Sequence, residues 1–289
     1  MLQYLAAGIV LGSIIAVTAA GLTLIYGVLK ITNFAHGDMV TFGAYMALFF
    51  NVGLGLPLWM AFLLAIAAGA LLGAATEWVI WRPMRVRGAG TVAIIIASLG
   101  LAFFLRNMLV FFFTATTQRY DVPVTSKIAL GPLPVRLTPD EIRVVVAAVL
   151  IMVALYLLLQ FTTIGRAMRA LSDNPNLAWV SGVDVDRVVV ATWILGGGLA
   201  AAGGVLYGLI RPIDTNMGWF LLLPMFAAII LGGIGSAYGA IVGGYILGIF
   251  QQLSLMVIPA EYRLAAAFFV LIVVLLFFPR GIFGQKVLA

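Results

Sequence analysis

Residues 5–29 read LAAGIVLGSIIAVTAAGLTLIYGVL, 25 residues without a charged side chain, and Lys30 carries the first charge of the chain. About 20 apolar residues, rising 1.5 Å each as a helix, cross the hydrocarbon core of a bilayer. A helix on the surface of a soluble protein keeps a polar stripe toward water, and this stretch has none. It reads as a membrane span. The basic region that opens a cleavable signal peptide is not found ahead of it, so it is expected to persist as a permanent helix.

Working outward, further apolar runs occur at about 39–55, 58–81, 91–113, 142–161, 188–210, 219–231, 237–257 and 263–279. They predict an all-α integral membrane fold: one transmembrane domain over 1–289, a polytopic bundle of about eight transmembrane helices. Two regions are weak as full crossings. The run after Asp38 contains Gly43, Gly53 and Gly55, and Gly232–Gly235 divides another into a short and a longer piece. Glycine-broken hydrophobic segments of this kind mark discontinuous helices beside transport pathways.

Composition agrees. The chain is 64% hydrophobic and 9% charged, with mean hydropathy +1.18, whereas a soluble domain carries about 25% charged residues. The net charge of +6 arises from 16 Lys and Arg against 10 Asp and Glu. In a membrane protein that excess reflects retention of basic residues in cytoplasmic loops, and no nucleic-acid partner need be invoked. With no cysteine and one histidine, disulfides, thiolate chemistry and a metal cluster have no material.

The basic residues also set an orientation. Lys30, Arg82, Arg85, Arg87, Arg166, Arg169, Arg187, Arg280 and Lys286 fall on one side. Arg119, Lys127, Arg136, Arg143, Arg211 and Arg263 fall on the other, together with Asp121, Asp140, Glu141, Asp214 and Glu261. The expectation is an outer N-terminus, a cytoplasmic C-terminus, and a 219–257 stretch that enters and leaves on the outer side. The outer segment 114–140, a periplasmic loop, contains Pro123, Pro132, Pro134 and Pro139 and so cannot be one helix; a cap or docking surface fits it. Glu77 is expected to pair with Arg82 one turn away, and Arg106 to snorkel toward the outer leaflet.

Three stretches hold polar or glycine-rich patterns. The first is the loop FTTIGRAMRALSDNPNLAWVSGVDVDR, residues 161–187. Ile164, Ala167, Met168 and Leu171 repeat at helical spacing, giving one apolar face with Arg166 and Arg169 off it. Ser172, Asp173 and Asn174 offer caps, Pro175 suits the first turn of a second short helix, and Gly182 can end it in the left-handed region. Two readings stand: a docking element, or a connector lying on anionic headgroups. The second stretch, ITNFAHGD over 31–38 followed by MVTFGAY over 39–45, puts Asn33, His36 and Asp38 among apolar spans, where polar groups are costly unless satisfied. Either they line or gate a pathway, or Asn33 and Asp38 cap broken helix ends while His36 bonds a backbone carbonyl. The third, LGGIGSAYGAIVGG over 231–244, spaces Gly235, Gly239 and Gly243 by four for close helix packing, as Ala200, Gly204 and Gly208 do earlier. Gly232, Gly233, Gly235 and Ser236 form a helix break that can face a pathway.

The pattern G-R-A-M-R-A-x-x-D-N-x-x-x-A-x-x-x-G-V from Gly165 to Val183 resembles the cytoplasmic coupling loop of ABC importer permeases. More narrowly it is similar to the branched-chain amino acid (LIV-type) permeases of the LivH kind. NFAHGD with GAY, and LGGIGSxxGAxxGG, carry the same resemblance across most of the chain. It implies that residues 162–187 seat in a cleft of an ATPase subunit, with Gly165, Arg166, Arg169, Asp173, Asn174 and Gly182 as coupling residues. It further implies a multi-pass bacterial inner-membrane protein with four kinds of company: a second, LivM-like permease chain, two ATP-binding-cassette subunits, a periplasmic amino-acid binding protein, and lipid. The chain contains no G-x-x-x-x-G-K-[ST], so ATP and Mg would sit on the partners, and no catalytic residue, cofactor or metal is expected here. Importers of urea or short amides share the family. A stand-alone carrier would need ligands for a coupling ion, and an intramembrane enzyme would need a paired nucleophile and base; neither set is present.

Overall fold

The computed structural model describes residues 1–123, 125–129, 135–277 and 281–283; Arg280 and Lys286 of the charge argument, and Pro132 and Pro134, lie outside these. In chain order the helices begin with α1 (Leu2–Leu29), α2 (His36–Leu48), α3 (Leu58–Thr76), α4 (Arg82–Val86), α5 (Thr91–Phe113) and α6 (Pro139–Phe161). They continue with α7 (Thr163–Asp173), α8 (Pro175–Val180), α9 (Val185–Ile210), α10 (Met217–Gly232), α11 (Ala237–Ser254) and α12 (Arg263–Phe277). Single π-helical turns extend α2 through Phe49–Gly53 and join α3 to α4 through Glu77–Trp81.

Among the described residues, five helices are long and apolar enough to cross a membrane: α1, α3 with its continuation to Val86, α5, α6 and α9. The polytopic helical architecture is as the apolar runs predict. At 13 residues, or about 20 Å, α2 is shorter than a crossing. Helices α10 and α11 meet at a 120° bend, so the chain doubles back at Gly232–Gly235 and does not continue through.

Burial sorts the helices into centre and rim. In the most apolar 18 residues of α1, 89% are buried, and in α9 78%, against 22–28% for α3, α5 and α6. The rim helices turn large side chains such as Leu71, Phe103, Phe104 and Leu150 outward, which suits lipid contact. The absence of a polar stripe on α1 thus has two consequences: it spans, and other helices can cover it on every side.

Inside lipid the hydrophobic effect does not drive helices together, so close backbone contact must. Gly8 and Gly12 of α1 abut Ile249 and Tyr245 of α11, while Gly244 and Gly248 of α11 abut Ala16 and Gly12. These pairs run in opposite directions, so α1 and α11 are antiparallel. The bend at Gly232–Gly235 therefore lies at the Lys30 end of α1, beside Gly27, and α10 starts and α11 ends toward the other end.

The expected glycine stripe is corrected in one member. Gly235 precedes α11, in the bend, with φ 91°. Gly239 and Gly243 do pack, against Gly232 and Ala228 of α10. Nor does Gly43 interrupt its helix: it lies inside α2, against Ala201 of α9. Between α5 and α6 the described residues form only a small antiparallel pair, β1 (Ile128–Ala129) with β2 (Arg136–Leu137), and a bridge from Gln118 to Ile213. The Gln3 side chain holds both backbone groups of Arg136, at 2.9 and 2.8 Å, so this segment covers the N-terminal end of α1.

Both expected side-chain placements change. Glu77, 1% exposed, pairs in a fork with Arg85 at 2.6 and 3.0 Å, not with Arg82. The π turn between them shifts the side-chain register, and Arg82 reaches Asp186 of α9 instead, at 3.2 Å. Trp81 stacks on Trp193 beside this pair, with centroids 5.2 Å apart. Arg106 turns inward, as described next.

Candidate functional site

The loop 162–187 folds as a compact two-helix unit. Thr162 caps α7, accepting from the Gly165 N–H at 3.1 Å. A Cβ at Gly165 would collide with the carbonyl oxygens of Leu158 and Leu159, so this glycine permits the tight corner from α6 into α7. Met168 and Leu171 are buried as the periodicity requires, with Gly165 beside them, and Arg166 lies exposed on the opposite face. The Arg169 guanidinium donates to the Leu159 carbonyl, satisfying an end of α6 that no helical N–H can reach. Ser172 donates to the Gly27 carbonyl of α1 at 2.8 Å.

Helix α8 follows with the predicted punctuation. Asn174 Oδ1 accepts from the N–H groups of Asn176 and Leu177, both at 3.1 Å, and Pro175 opens the helix. Gly182 closes it at φ 81°. Asp173, the last residue of α7, is exposed. Helix α8 is too short to be stable alone, yet it presents large apolar side chains outward: Leu177 is 61% exposed, Trp179 71% and Val180 69%. Only Ala178 is buried. The sequence reading fixed on the charged residues and missed this apolar tip; a tryptophan inside a polar loop was the available signal.

The second stretch lies wholly inside the bundle. After Lys30 the chain runs non-helically through residues 31–33 and turns into α2 at His36, beside Thr18 and Gly21 of α1. Thus α2 begins about halfway along its neighbour. Asn33 Oδ1 accepts from the Ala35 N–H at 3.1 Å, and Ser98 of α5 accepts from the Phe34 N–H at 3.3 Å, so unwound backbone is partly satisfied by side chains. His36 Nε2 lies 3.1 Å from the Thr18 carbonyl, while its Nδ1 has no partner among the described residues.

Asp38 does not cap α2. Fully buried, it forms a fork with Arg106 of α5, Nε to Oδ1 at 3.0 Å and Nη2 to Oδ2 at 3.3 Å. Arg106 is 17% exposed and its guanidinium lies over the Trp219 ring, 5.1 Å from the centroid. The expectation that Arg106 snorkels fails because a carboxylate is available inside. The two charges lie 68 positions apart in the chain, so no local spacing reveals the pair.

The glycine break sits elsewhere, near the Lys30 end. Gly235 N–H donates to Thr23 of α1 at 3.3 Å, and Ser236 caps α11 by accepting from Gly239 at 3.0 Å. Backbone N–H groups of Ile282 and Phe283 reach the Leu231 and Gly232 carbonyls at 2.8 and 3.1 Å, and Gly281 abuts Gly233. Gly232 and Gly233 are buried in this turn. The two candidate pathway groups are therefore not one site: Asn33, His36 and Asp38 lie among α1, α5 and α10, and Gly232–Ser236 among α1, α11 and the 281–283 segment. Among the described residues no cluster of three metal-ligating side chains occurs.

Against known proteins, residues 4–276 match the family described as branched-chain amino acid transport system / permease component. The high-affinity branched-chain amino acid transport system permease protein LivH of Escherichia coli K12 is 33% identical over 303 aligned positions, covering 98% of this chain and 96% of its own. The corresponding BraD protein of Pseudomonas aeruginosa is 31% identical, with the same coverages. In architecture the chain is similar to PsaBC from Streptococcus pneumoniae, solved in complex with Fab, at TM-score 0.52 and 13% identity, covering 94% of this chain and 91% of that one. This last likeness concerns the fold alone.

Proposed function

Since the chain belongs to the family of branched-chain amino acid permease components, we propose that it forms half of the membrane conduit of an ATP-driven importer for branched-chain or other neutral amino acids. In this reading it is a non-catalytic subunit of the bacterial plasma membrane. A second, related permease completes the conduit, two ATPase subunits dock from the cytoplasm, and a binding protein delivers substrate outside. The Lys30 end of α1 faces the cytoplasm.

The observation that supports this most is the α7–α8 unit. An exposed tryptophan with Leu177 and Val180 beside it, on a capped and anchored element, is suited to burial in a partner's cleft; aromatic residues of this kind dominate interface energetics. Its anchoring gives the docked element a mechanical route inward. Movement of α7 pulls on α6 through Arg169 and on α1 through the Ser172 to Gly27 hydrogen bond. Since α1 is the most buried of the spanning helices, a push there reaches α9, α10 and α11 together.

The test is uptake of labelled leucine by cells expressing the full transporter with Trp179→Ala, with co-purification of the ATPase subunits measured in parallel. Both are expected to fall by about tenfold or more, since loss of one buried aromatic anchor costs 2 kcal/mol or more, by a rough rule. Unchanged uptake together with unchanged co-purification refutes the docking role.

A further inference from the structure

Between α1, α9, α10, α11 and the start of α12 lies a cavity of about 230 Å³. Leu11 and Ile15 line it from α1. At 1.5 Å per residue they stand roughly 14–20 Å from the first residue of that helix, near the middle of a hydrocarbon core about 30 Å thick. Leu221 of α10 and Leu264 of α12 complete apolar walls.

Besides Tyr207 of α9, two polar features interrupt those walls. Gln251 of α11 is 2% exposed, and its Nε2 has no hydrogen-bond partner among the described residues. A buried amide donor left unmet is destabilising, and a ligand acceptor would remove that cost. Pro224 lies inside α10 and has no N–H, so the Phe220 carbonyl lacks the donor that a helix supplies four residues on. Both Phe220 and Pro224 line the cavity, and the exposed Glu261 stands at its rim. Beside Tyr207, the set comprises one donor, one acceptor with a carboxylate near it, and an apolar remainder. A lipid acyl chain would fill the walls but leave Gln251 unmet.

We propose that this cavity is a membrane-embedded holding site for one neutral amino acid with an aliphatic side chain. The Gln251 amide donates to the α-carboxylate, the Phe220 carbonyl and Glu261 receive the α-ammonium, and the leucine-lined wall takes the side chain. Charges leaving water need partners, and this site offers the ammonium a carboxylate and a carbonyl and offers the carboxylate an amide donor. The inference rests on the amino-acid importer reading above and adds to it a site of selection within the membrane.

The test uses the complete transporter in nanodiscs, with the binding protein left out, titrated with tritiated L-leucine. Saturable binding is expected, about tenfold weaker with Gln251→Leu. Leu264→Phe, which narrows the apolar end, should abolish leucine binding and leave alanine binding in place. ATPase co-purification at the wild-type level shows that each variant is folded. No saturable leucine binding to the wild type, binding unchanged in both variants, or a lipid that co-purifies in the cavity and resists displacement by leucine overturns the proposal. ATP-driven uptake with the binding protein present is measured in the same preparations. Leucine uptake without binding to the isolated transporter defeats the holding site and leaves the importer reading standing. Failure to take up any neutral amino acid defeats the importer reading itself.

Discussion

At the scale of single residues, the Asp38–Arg106 pair governs the interior. Both charges are largely out of water, and each depends on the other for its solvation. Breaking a buried pair by removing one partner costs about 3–5 kcal/mol, whereas replacing both with apolar residues of similar volume is often neutral. Asp38→Asn is therefore expected to lower the thermal unfolding temperature of the detergent-solubilised protein by several degrees. The double variant Asp38→Leu/Arg106→Met should recover much of the loss, and equal melting of the single and double variants would remove the pair from the account. Arg169 shows the complementary case. Its charge suggests a partner outside the chain, yet its guanidinium caps the end of α6, so Arg169→Ala disturbs the loop from within.

At the scale of elements, glycine decides which helices touch. A Cβ on Gly204 of α9 would collide with the Val40 carbonyl of α2, whereas one on Gly100 of α5 meets nothing within 4 Å. Overpacking of the first kind costs typically about 1–3 kcal/mol, while an unhindered Gly→Ala in a helix gains roughly 0.5–1 kcal/mol. Gly204→Ala should lower, and Gly100→Ala slightly raise, the unfolding temperature followed by intrinsic fluorescence. A matching response at both positions would mean that helix propensity, not backbone approach, sets their role. The same logic separates glycines that four-residue spacing groups together. Gly239 and Gly243 pack on α10, Gly244 and Gly248 pack on α1, and Gly235 turns the chain. The spacing reveals that close contacts exist, and it carries no information about which helix fills them.

At the scale of the molecule, the arrangement predicts a pattern of access that the cysteine-free chain makes easy to read. Single cysteines at Arg166, Gly182 and the exposed Ile234 lie toward the Lys30 end, and at Arg136 and Arg211 toward the other. An impermeant maleimide added to intact cells should label only the second set, and added to inverted vesicles only the first. Labelling of Ile234 from outside would mean that α10 and α11 form one crossing, and labelling reversed throughout would invert the orientation. By itself the sequence determined the solvent: residues 5–29 and their fellow runs cannot be covered by water, so a polytopic helical bundle follows from composition and span length. It also determined the punctuation of α8, because the cap at Asn174 and the turn at Gly182 are local backbone matters. Only the tertiary structure decided that α1 is the hub, that Arg106 faces inward to Asp38, that Glu77 takes Arg85, and that Gln251 borders a cavity. The Glu77–Arg85 pair spans eight positions and depends on the π turn between them. The others depend on partners tens to hundreds of positions away, and in a uniformly apolar chain no amphipathic face tells one side of a helix from another.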